Sequence, residues 1–347
     1  MPIVKTLSKA TKLEKEKFTI PKSVQDAIPI QRIWSDGIFQ IGSRFSKTFS
    51  FTDINYRIAG KEDKTAMFLD YSEFLNALDS GASAKITINN RRINKAEFES
   101  SLLLPMKEDG LDHFRKEYNE MLLSKVSGTN NSVVQDRYIT VTVAKRNIDE
   151  ARTYFSRVGT DLITHLSRLS SICRELDAET RLQVFRDFFK ADEPVAFPFN
   201  LKEQMKKGHS FKDWLCPDSM EFQKDHFRLN DRWGQVLYLQ GYASYIKDSM
   251  IAELCDMDRS LMLSIDILPV PTDEAVREIQ NKLLGVETNA ANWQRKQNAA
   301  RNFSAVLPYD MEQQRKETTE MLEDLTNRDQ RMMYGLVTLV HLADTRE

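Results

Sequence analysis

The sequence predicts an α+β protein made of two similar subdomains, each with the order β-β-α-β-α-β and a mixed sheet covered by helices. Short runs in which apolar and polar residues alternate are typical of half-buried strands. Longer runs in which apolar residues recur every three or four positions are typical of amphipathic helices. The two kinds of run follow one another in an order that occurs twice, and the second copy lacks its final helix.

Composition limits the class of protein. The chain has 347 residues, enough for two domains that each bury a core. Its 49 Lys and Arg residues balance 51 Asp and Glu residues, and 41% of its residues are hydrophobic. This excludes a disordered chain and a protein whose whole surface binds nucleic acid or membrane. Three widely spaced cysteines exclude a disulfide framework and fit a reducing cytoplasm.

Residues 1–35 are predicted to be a basic lead-in. Its lysines are concentrated near the start of the chain, at Lys5, Lys9, Lys12, Lys15 and Lys17. The apolar residues between them are only loosely spaced for one helical face, so an extended or frayed lead-in is favoured. Contact of a basic amphipathic segment with anionic lipid is the alternative.

Residues 36–190 are predicted to form the first subdomain. Gly37 and Gly42 punctuate two runs typical of a hairpin, and Asn147 is expected to cap a long helix. We expect strands at Ile38–Ile41, Phe45–Ile58, Ala84–Arg92 and Tyr138–Val143, and helices at Lys64–Leu78, Leu111–Leu123, Asn147–Leu169 and Ala178–Phe189.

Residues 191–217 are predicted to be a linker, because Pro194 and Pro198 interrupt regular structure there. Residues 218–347 then form the second subdomain. We expect strands at Glu221–Leu229, Gln235–Leu239, Leu261–Leu268 and Met332–Leu342, and helices at Tyr245–Met257, Thr272–Gly285, Asn289–Arg301 and Asp310–Asn327. Because this copy stops just after its last strand, we expect the chain to be part of a longer polypeptide.

The sequence contains no P-loop. That motif needs Gly-x-x-x-x-Gly-Lys-Ser/Thr so that backbone N–H groups surround the phosphates while the lysine meets their charge. Gly60 and Lys61 are followed by Glu62, and Asn55 stands in place of the first glycine. No catalytic or cofactor-binding residue is therefore predicted, and the strand Leu263–Asp266 is interpreted as buried instead of magnesium-binding.

One set of residues is a candidate metal site: His209, Cys216, Asp225 and His226. Structural zinc sites use closely spaced ligand pairs, because two ligands on one turn pre-organise the site. This set lacks such pairs, so packing and loop roles are favoured over zinc. Cys173 and Cys255 are likewise interpreted as structural thiols instead of nucleophiles.

Six basic residues are candidate contacts for a partner or for nucleic acid: Arg91, Arg92, Arg295, Lys296, Arg328 and Arg331. Arginine forks at strand ends can pair with phosphate or carboxylate groups. The segment Trp293–Arg301 mixes an aromatic ring with cations, which is the chemistry used to bind single-stranded nucleic acid. A solvated helix face is the favoured alternative for that segment.

Eight blocks of the sequence resemble a known protein family. They are Val24–Ile30, Asp36–Gly42, Phe51–Tyr56, Lys85–Asn94, Tyr242–Asp258, Pro269–Ile279, Pro308–Glu317 and Thr326–Met333. Together they resemble the N-terminal part of the conjugal-transfer ATPases of type IV secretion systems, of the CagE/TrbE/VirB type carried by conjugative transposons of Gram-positive bacteria. The resemblance covers nearly the whole chain from about Pro21 onward.

The resemblance implies a cytoplasmic protein, peripheral at the inner face of the cell membrane, whose N-terminal region docks on channel components and helps assemble oligomers. It places ATP and magnesium in a C-terminal motor beyond Glu347, so no ATP-binding or catalytic residue transfers to this chain. We therefore expect a non-catalytic assembly and docking module. The alternative is a single-stranded DNA-binding module that uses Arg91, Arg92 and Trp293–Arg301. A hydrolase that uses His209, Cys216 and His226 is least favoured.

Overall fold

The computed structural model describes residues 21–54, 56, 58–92, 103–128, 133–190, 200–242, 249–257, 259–303, 306–328 and 330–346. The predicted lead-in therefore lies outside the described residues up to residue 20, and so does the Pro194–Pro198 part of the predicted linker. No helix within these ranges combines the length and the apolar character needed to cross a membrane.

The described residues form an α+β fold. In chain order the elements are α1 (Val24–Ala27), β1 (Arg32–Ile33), β2 (Phe39–Ile41), β3 (Arg44–Phe51), α2 (Lys61–Asn76), β4 (Ala82–Arg92), α3 (Asp112–Gly128), β5 (Val133–Ala144), α4 (Ile148–Arg168), β6 (Cys173–Glu175), α5 (Ala178–Phe189), α6 (Leu201–Lys206), α7 (Phe211–Leu215), β7 (Met220–Phe222), β8 (Phe227–Leu229), β9 (Arg232–Tyr238), α8 (Ser249–Cys255), β10 (Leu261–Pro269), α9 (Thr272–Ala299), α10 (Tyr309–Asn327) and β11 (Met333–Ala343).

The strands form one large sheet in the order β1-β2-β3-β5-β4-β10-β11-β9-β8-β7, with β6 paired to β3. Every described strand pair is antiparallel. The expected pair of mixed sheets is therefore wrong. Strands that run in the same direction are not neighbours, because β5 lies between β3 and β4 and β11 lies between β9 and β10, and the β4–β10 pairing merges the two halves into one sheet. That pairing, of Ala84–Asn90 with Leu261–Ile267, joins the two halves of the chain.

The main core lies on one face of this sheet, under α2 and α4. Phe49 on β3 and Ile139 on β5 are cross-strand partners, and both are buried in this cluster with Phe155 of α4. The cap predicted at Asn147 is confirmed, since Asn147 Oδ1 accepts a hydrogen bond of 2.9 Å from the backbone N–H of Glu150. Ile267 of β10 is buried in the same cluster, so the second half completes the core of the first.

A second hydrophobic cluster lies on the opposite face, over β2. Its buried members are Ile28, Ile30, Phe39, Ala178, Leu182, Leu201, Leu215 and Cys216. Residues 24–33 and 201–216, predicted as lead-in and linker, thus contribute helices, a strand and core residues to the fold. Met220 of β7 also packs against this cluster, which therefore bridges the two ends of the sheet.

The helix α9 is longer than expected. It runs from Thr272 to Ala299, whereas the sequence predicted a stop at Gly285 and a cap at Thr272. A glycine inside a helix costs only about 1 kcal/mol, and the half-buried side of α9 continues past it through Val286 and Trp293. Thr272 is the first helical residue, and the cap position is Pro271, which forms no side-chain cap hydrogen bond.

A buried arginine fixes α5 to the β2–β3 hairpin. Arg181 Nη1 donates to the backbone oxygens of Gly37 (2.9 Å) and Ser46 (2.7 Å), and Nη2 donates to Ser46 Oγ (2.8 Å). Its guanidinium lies 4.1 Å from the centre of the Phe39 ring. Burial lowers the pKa of Arg181, so the charge depends on these oxygens and this ring for its stabilisation.

Replacing this guanidinium is expected to destabilise the fold strongly. Arg181→Ala removes the guanidinium donor from buried oxygens of Gly37 and Ser46 and opens a cavity, so we expect the free energy of unfolding to fall by about 3 kcal/mol in urea denaturation. Arg174→Ala, at an exposed position on β6, is the control and should change it by less than about 0.5 kcal/mol. Similar small losses for both variants would contradict the role given to Arg181.

Candidate protein-binding surface

The basic residues predicted as contacts are used partly within the chain. Arg91 Nε lies 2.7 Å from Asp136 Oδ2, and Arg328 Nη1 lies 2.7 Å from Asp324 Oδ1. Arg331 Nη1 donates to the backbone oxygen of Leu78 at 2.5 Å, which ties the approach to β11 to the end of α2. Arg91 and Arg331 therefore have structural roles that their sequence context does not reveal, whereas the Arg328 pair is a local, exposed i,i+4 contact.

The predicted basic residues do not form one surface. Arg91 lies at the end of β4 that pairs with the start of β10, whereas Arg331 precedes β11 at the opposite end of these strands. Arg295 and Lys296 are exposed on the last turns of α9. Arg92 is in β4, but its side chain lies outside the described residues.

The predicted metal and nucleophile candidates show no catalytic arrangement among the described residues. His226 Nδ1 lies 2.8 Å from Asp225 Oδ1, and this contact lowers the pKa of Asp225. No three His, Cys, Asp or Glu residues within the described ranges are placed to hold a metal ion.

Burial raises the pKa of Cys173 and of Cys255 to about 11. Thiols with such a pKa are protonated at neutral pH and are poor nucleophiles.

The helix α3 presents an apolar stripe to solvent. Leu111, which directly precedes the first helical residue, and Phe114, Tyr118 and Met121 of the helix are 53%, 58%, 47% and 42% exposed. Their spacing of three, four and three residues puts them on one side of the helix. The sequence predicted this helix from the same periodicity, but periodicity does not tell whether a neighbour covers the stripe. We call these four residues the α3 stripe.

Local polar contacts hold the start of α3 in place. Arg115 Nη1 lies 2.5 Å from Asp109 Oδ1 and 2.6 Å from Asp112 Oδ1. Asp112 also accepts hydrogen bonds from the backbone N–H groups of Lys107 (3.0 Å) and Glu108 (2.9 Å). Because these contacts close the preceding loop onto the first turn, the stripe is presented on a fixed backbone.

A side-chain amide adds a second attachment. Asn119 Oδ1 accepts from the backbone N–H of Leu104, and Asn119 Nδ2 donates to the Leu104 backbone oxygen, both at 2.9 Å. Asn119 is itself buried. Both hydrogen-bonding groups of the Leu104 peptide backbone are thus satisfied by one side chain of α3, which orients the loop against the helix.

The charged groups at the start of α3 shift one another's pKa values. The hydrogen bond from Arg115 lowers the pKa of Asp109 from 3.8 to about 2. The backbone N–H of Lys107, followed by Arg115, lowers the pKa of Asp112, and both carboxylates raise the pKa of Arg115. Since the folded-state pKa of Asp109 is lowered, this attachment is fully present above about pH 4 and is lost as the pH falls through about 2.

The chemistry available at this surface is non-covalent binding. A rigid stripe of four large apolar side chains, two of them aromatic, can bury surface against a partner helix or groove. No family model and no curated protein matches the sequence. The exposed apolar side chains of the described surface are therefore what indicates a function, and they favour protein association.

Removing the Arg115 charge tests the electrostatics of this site. In Arg115→Gln we expect the pKa of Asp109 to rise from about 2 towards its ordinary value of about 3.9, because the strongest contact with its carboxylate is lost. NMR-detected titration of the carboxyl carbon measures it. Lys116→Gln, one residue away and exposed, should leave this pKa unchanged. An unchanged pKa in Arg115→Gln would rule out the assigned cause.

Proposed function

We propose that this chain is a non-catalytic assembly and docking module, the N-terminal part of a conjugative-transfer ATPase of a type IV secretion system. In this proposal it contacts channel components at the inner face of the cell membrane, as well as other subunits. The exposed α3 stripe is the observation that carries the proposal. The blocks of sequence that resemble this ATPase family give the proposal its biological setting.

The α3 stripe supports a docking role for a physical reason. Three large apolar side chains on one face of α3, together with Leu111 directly before it, are each more than two-fifths exposed and leave apolar area in water unless a partner covers it. Phe114 and Tyr118 also belong to the residue types that supply much of the binding energy in protein interfaces. Asn119 and Arg115 already hold the preceding loop against the start of the helix, so a partner would not have to order this part on binding.

We also propose that the two halves of the sheet are similar subdomains. The first half has the strand order β1-β2-β3-β5-β4 and the second has β7-β8-β9-β11-β10, so each strand has a counterpart at the matching position. In each half three consecutive strands precede the helix that leads to the next strand, α2 in the first half and α8 in the second, which is one strand more than the sequence indicated. This arrangement supports a duplicated platform, on which exposed helices and strands serve association.

A docking experiment tests this proposal. We expect the purified chain to bind at least one detergent-purified inner-membrane channel protein of a conjugative element in biolayer interferometry. Phe114→Glu with Tyr118→Glu should weaken binding by about tenfold or more, because buried aromatic anchors dominate such interfaces. Phe68→Glu is the matched control, because Phe68 on α2 is 64% exposed, and it should bind normally.

Three results would count against the proposal. Undiminished binding of the double variant would remove the α3 stripe as the docking surface. Absence of binding to every channel protein, or turnover of ATP above a mock-purified control, would contradict the assigned function. Circular dichroism of each variant separates loss of binding from loss of folding.

Single-stranded DNA binding is the second candidate function. Arg295 and Lys296 are exposed near the end of α9, and neither forms an ion pair with a described residue. Trp293 is half-buried nearby on the same helix. These side chains would meet phosphates and bases on an extended strand.

A charge reversal separates the two candidates. If the chain is a protein-docking module, a labelled oligonucleotide should show no salt-dependent binding at low ionic strength, and Arg295→Glu with Lys296→Glu should change nothing. Binding that weakens as salt rises, and that this double variant lowers by about tenfold, would favour the DNA function instead. Fluorescence anisotropy at several salt concentrations measures both.

A further inference from the structure

The two halves of the sheet agree in register as well as in strand order. Phe39 pairs with Ser46 in the first half, and Phe227 pairs with Gly234 in the second. Both hairpins turn through two residues, and the first of these has a positive φ in each, 58° at Gly42 and 51° at Asn230. The hairpins are thus equivalent residue by residue.

The agreement extends across the neighbouring strands. Phe49 pairs with Ile139, which pairs with Ile86; in the second half Leu237 pairs with Leu339, which pairs with Leu263. Residues paired directly across antiparallel strands point to the same face. Since Ile86 also pairs with Ile265 across the β4–β10 junction, all these side chains lie on the face that carries the main core.

In the first half a helix covers this face. Phe49, Ile139 and Val141 are at most 2% exposed, and α4 buries Ala151, Phe155, Leu162 and Leu166 in the same cluster. The helix passes so close to β3 that a Cβ at Gly159 would lie 3.2 Å from Phe49 Cε1. The first half therefore needs an apolar stripe on α4 and a small residue where the helix crosses the sheet.

In the second half the equivalent face is covered over β10, where Leu263 is fully buried, and is open over β9 and β11. Leu237, at the position of Phe49, is 48% exposed, and Leu339, at the position of Ile139, is only partly buried. Val337 beside them on β11 is partly buried too. Among the described residues no helix lies against β9 as α4 lies against β3. We call Leu237, Val337 and Leu339 the open face.

We propose that the open face is an acceptor site for an amphipathic α-helix of a partner polypeptide, bound as α4 is bound on the first half. The helix that fits it has an apolar stripe with the spacing of Ala151, Phe155, Leu162 and Leu166 and a small residue at the crossing point. The exposed Gln235 stands where Lys47 pairs with Glu175 of β6 in the first half, so this position of the open face carries no lysine charge that a covering helix would bury. The inference goes beyond the proposed function and holds whichever machinery supplies the helix.

A tethered helix tests the acceptor site directly. The full chain is extended at its C-terminus with a second copy of residues 146–170, which contain α4, and Leu237→Cys provides a thiol on the open face. Tethering raises the effective concentration of the helix to about millimolar, so weak binding is sufficient. The matched control carries Phe155→Glu and Leu162→Glu in the appended copy only.

We expect the introduced thiol to react with maleimide about tenfold more slowly in the extended chain than in the control, because only the intact stripe covers it. Cys216 and Cys255 are buried, and burial raises the pKa of the half-buried Cys173 to about 11, so the background reaction is slow. Val337→Cys gives a second reporter if Leu237→Cys does not fold. Equal rates in the two chains would overturn the proposal. So would labelling of the unextended chain that slows as protein concentration rises, since a second copy would then cover the face.

Discussion

The antiparallel pairing of β4 with β10 is the interaction on which the rest of the structure depends. It converts two groups of strands into one sheet, since Ala84–Asn90 and Leu261–Ile267 are the point at which the halves meet. It also places Ile267 in the core beneath α2 and α4. Lys85 and Asp266, partners in this register, add an ion pair of 3.2 Å on the other face. The Arg331 contact with Leu78 then fastens the same two halves at one end of the strands.

The distribution of helices over this sheet determines which surfaces remain available. The first half has α4 over β3 and β5, and the same positions on β9 and β11 are open. The helix α3 is held by its own loop through Arg115 and Asn119 and turns its apolar stripe outward. Both features leave apolar surface in water that another polypeptide can cover.

Local structure could be predicted from the sequence where it depends on local pattern. The Asn147 cap and the helix at Ala178–Phe189 follow from neighbouring residues and are confirmed. The single antiparallel sheet could not be predicted, because β4 and β10 are separated by more of the chain than any periodicity spans. The roles of Arg91 and Arg331 could not be predicted from the sequence for the same reason. Their partners, Asp136 and the Leu78 backbone, are distant in sequence.

The most direct test of this account is hydrogen exchange of the intact chain followed by mass spectrometry. If the β4–β10 pairing joins the halves and the second half lacks the cover that α4 provides, β4 and β10 should exchange last, and β3 should exchange much more slowly than β9. Because β3 also pairs with β6 at Phe49–Phe51, the comparison uses Phe45–Ser46 and Trp233–Gly234, which have a paired strand on each side in both halves. Equal protection of β3 and β9, or early exchange of β4 and β10, would contradict it.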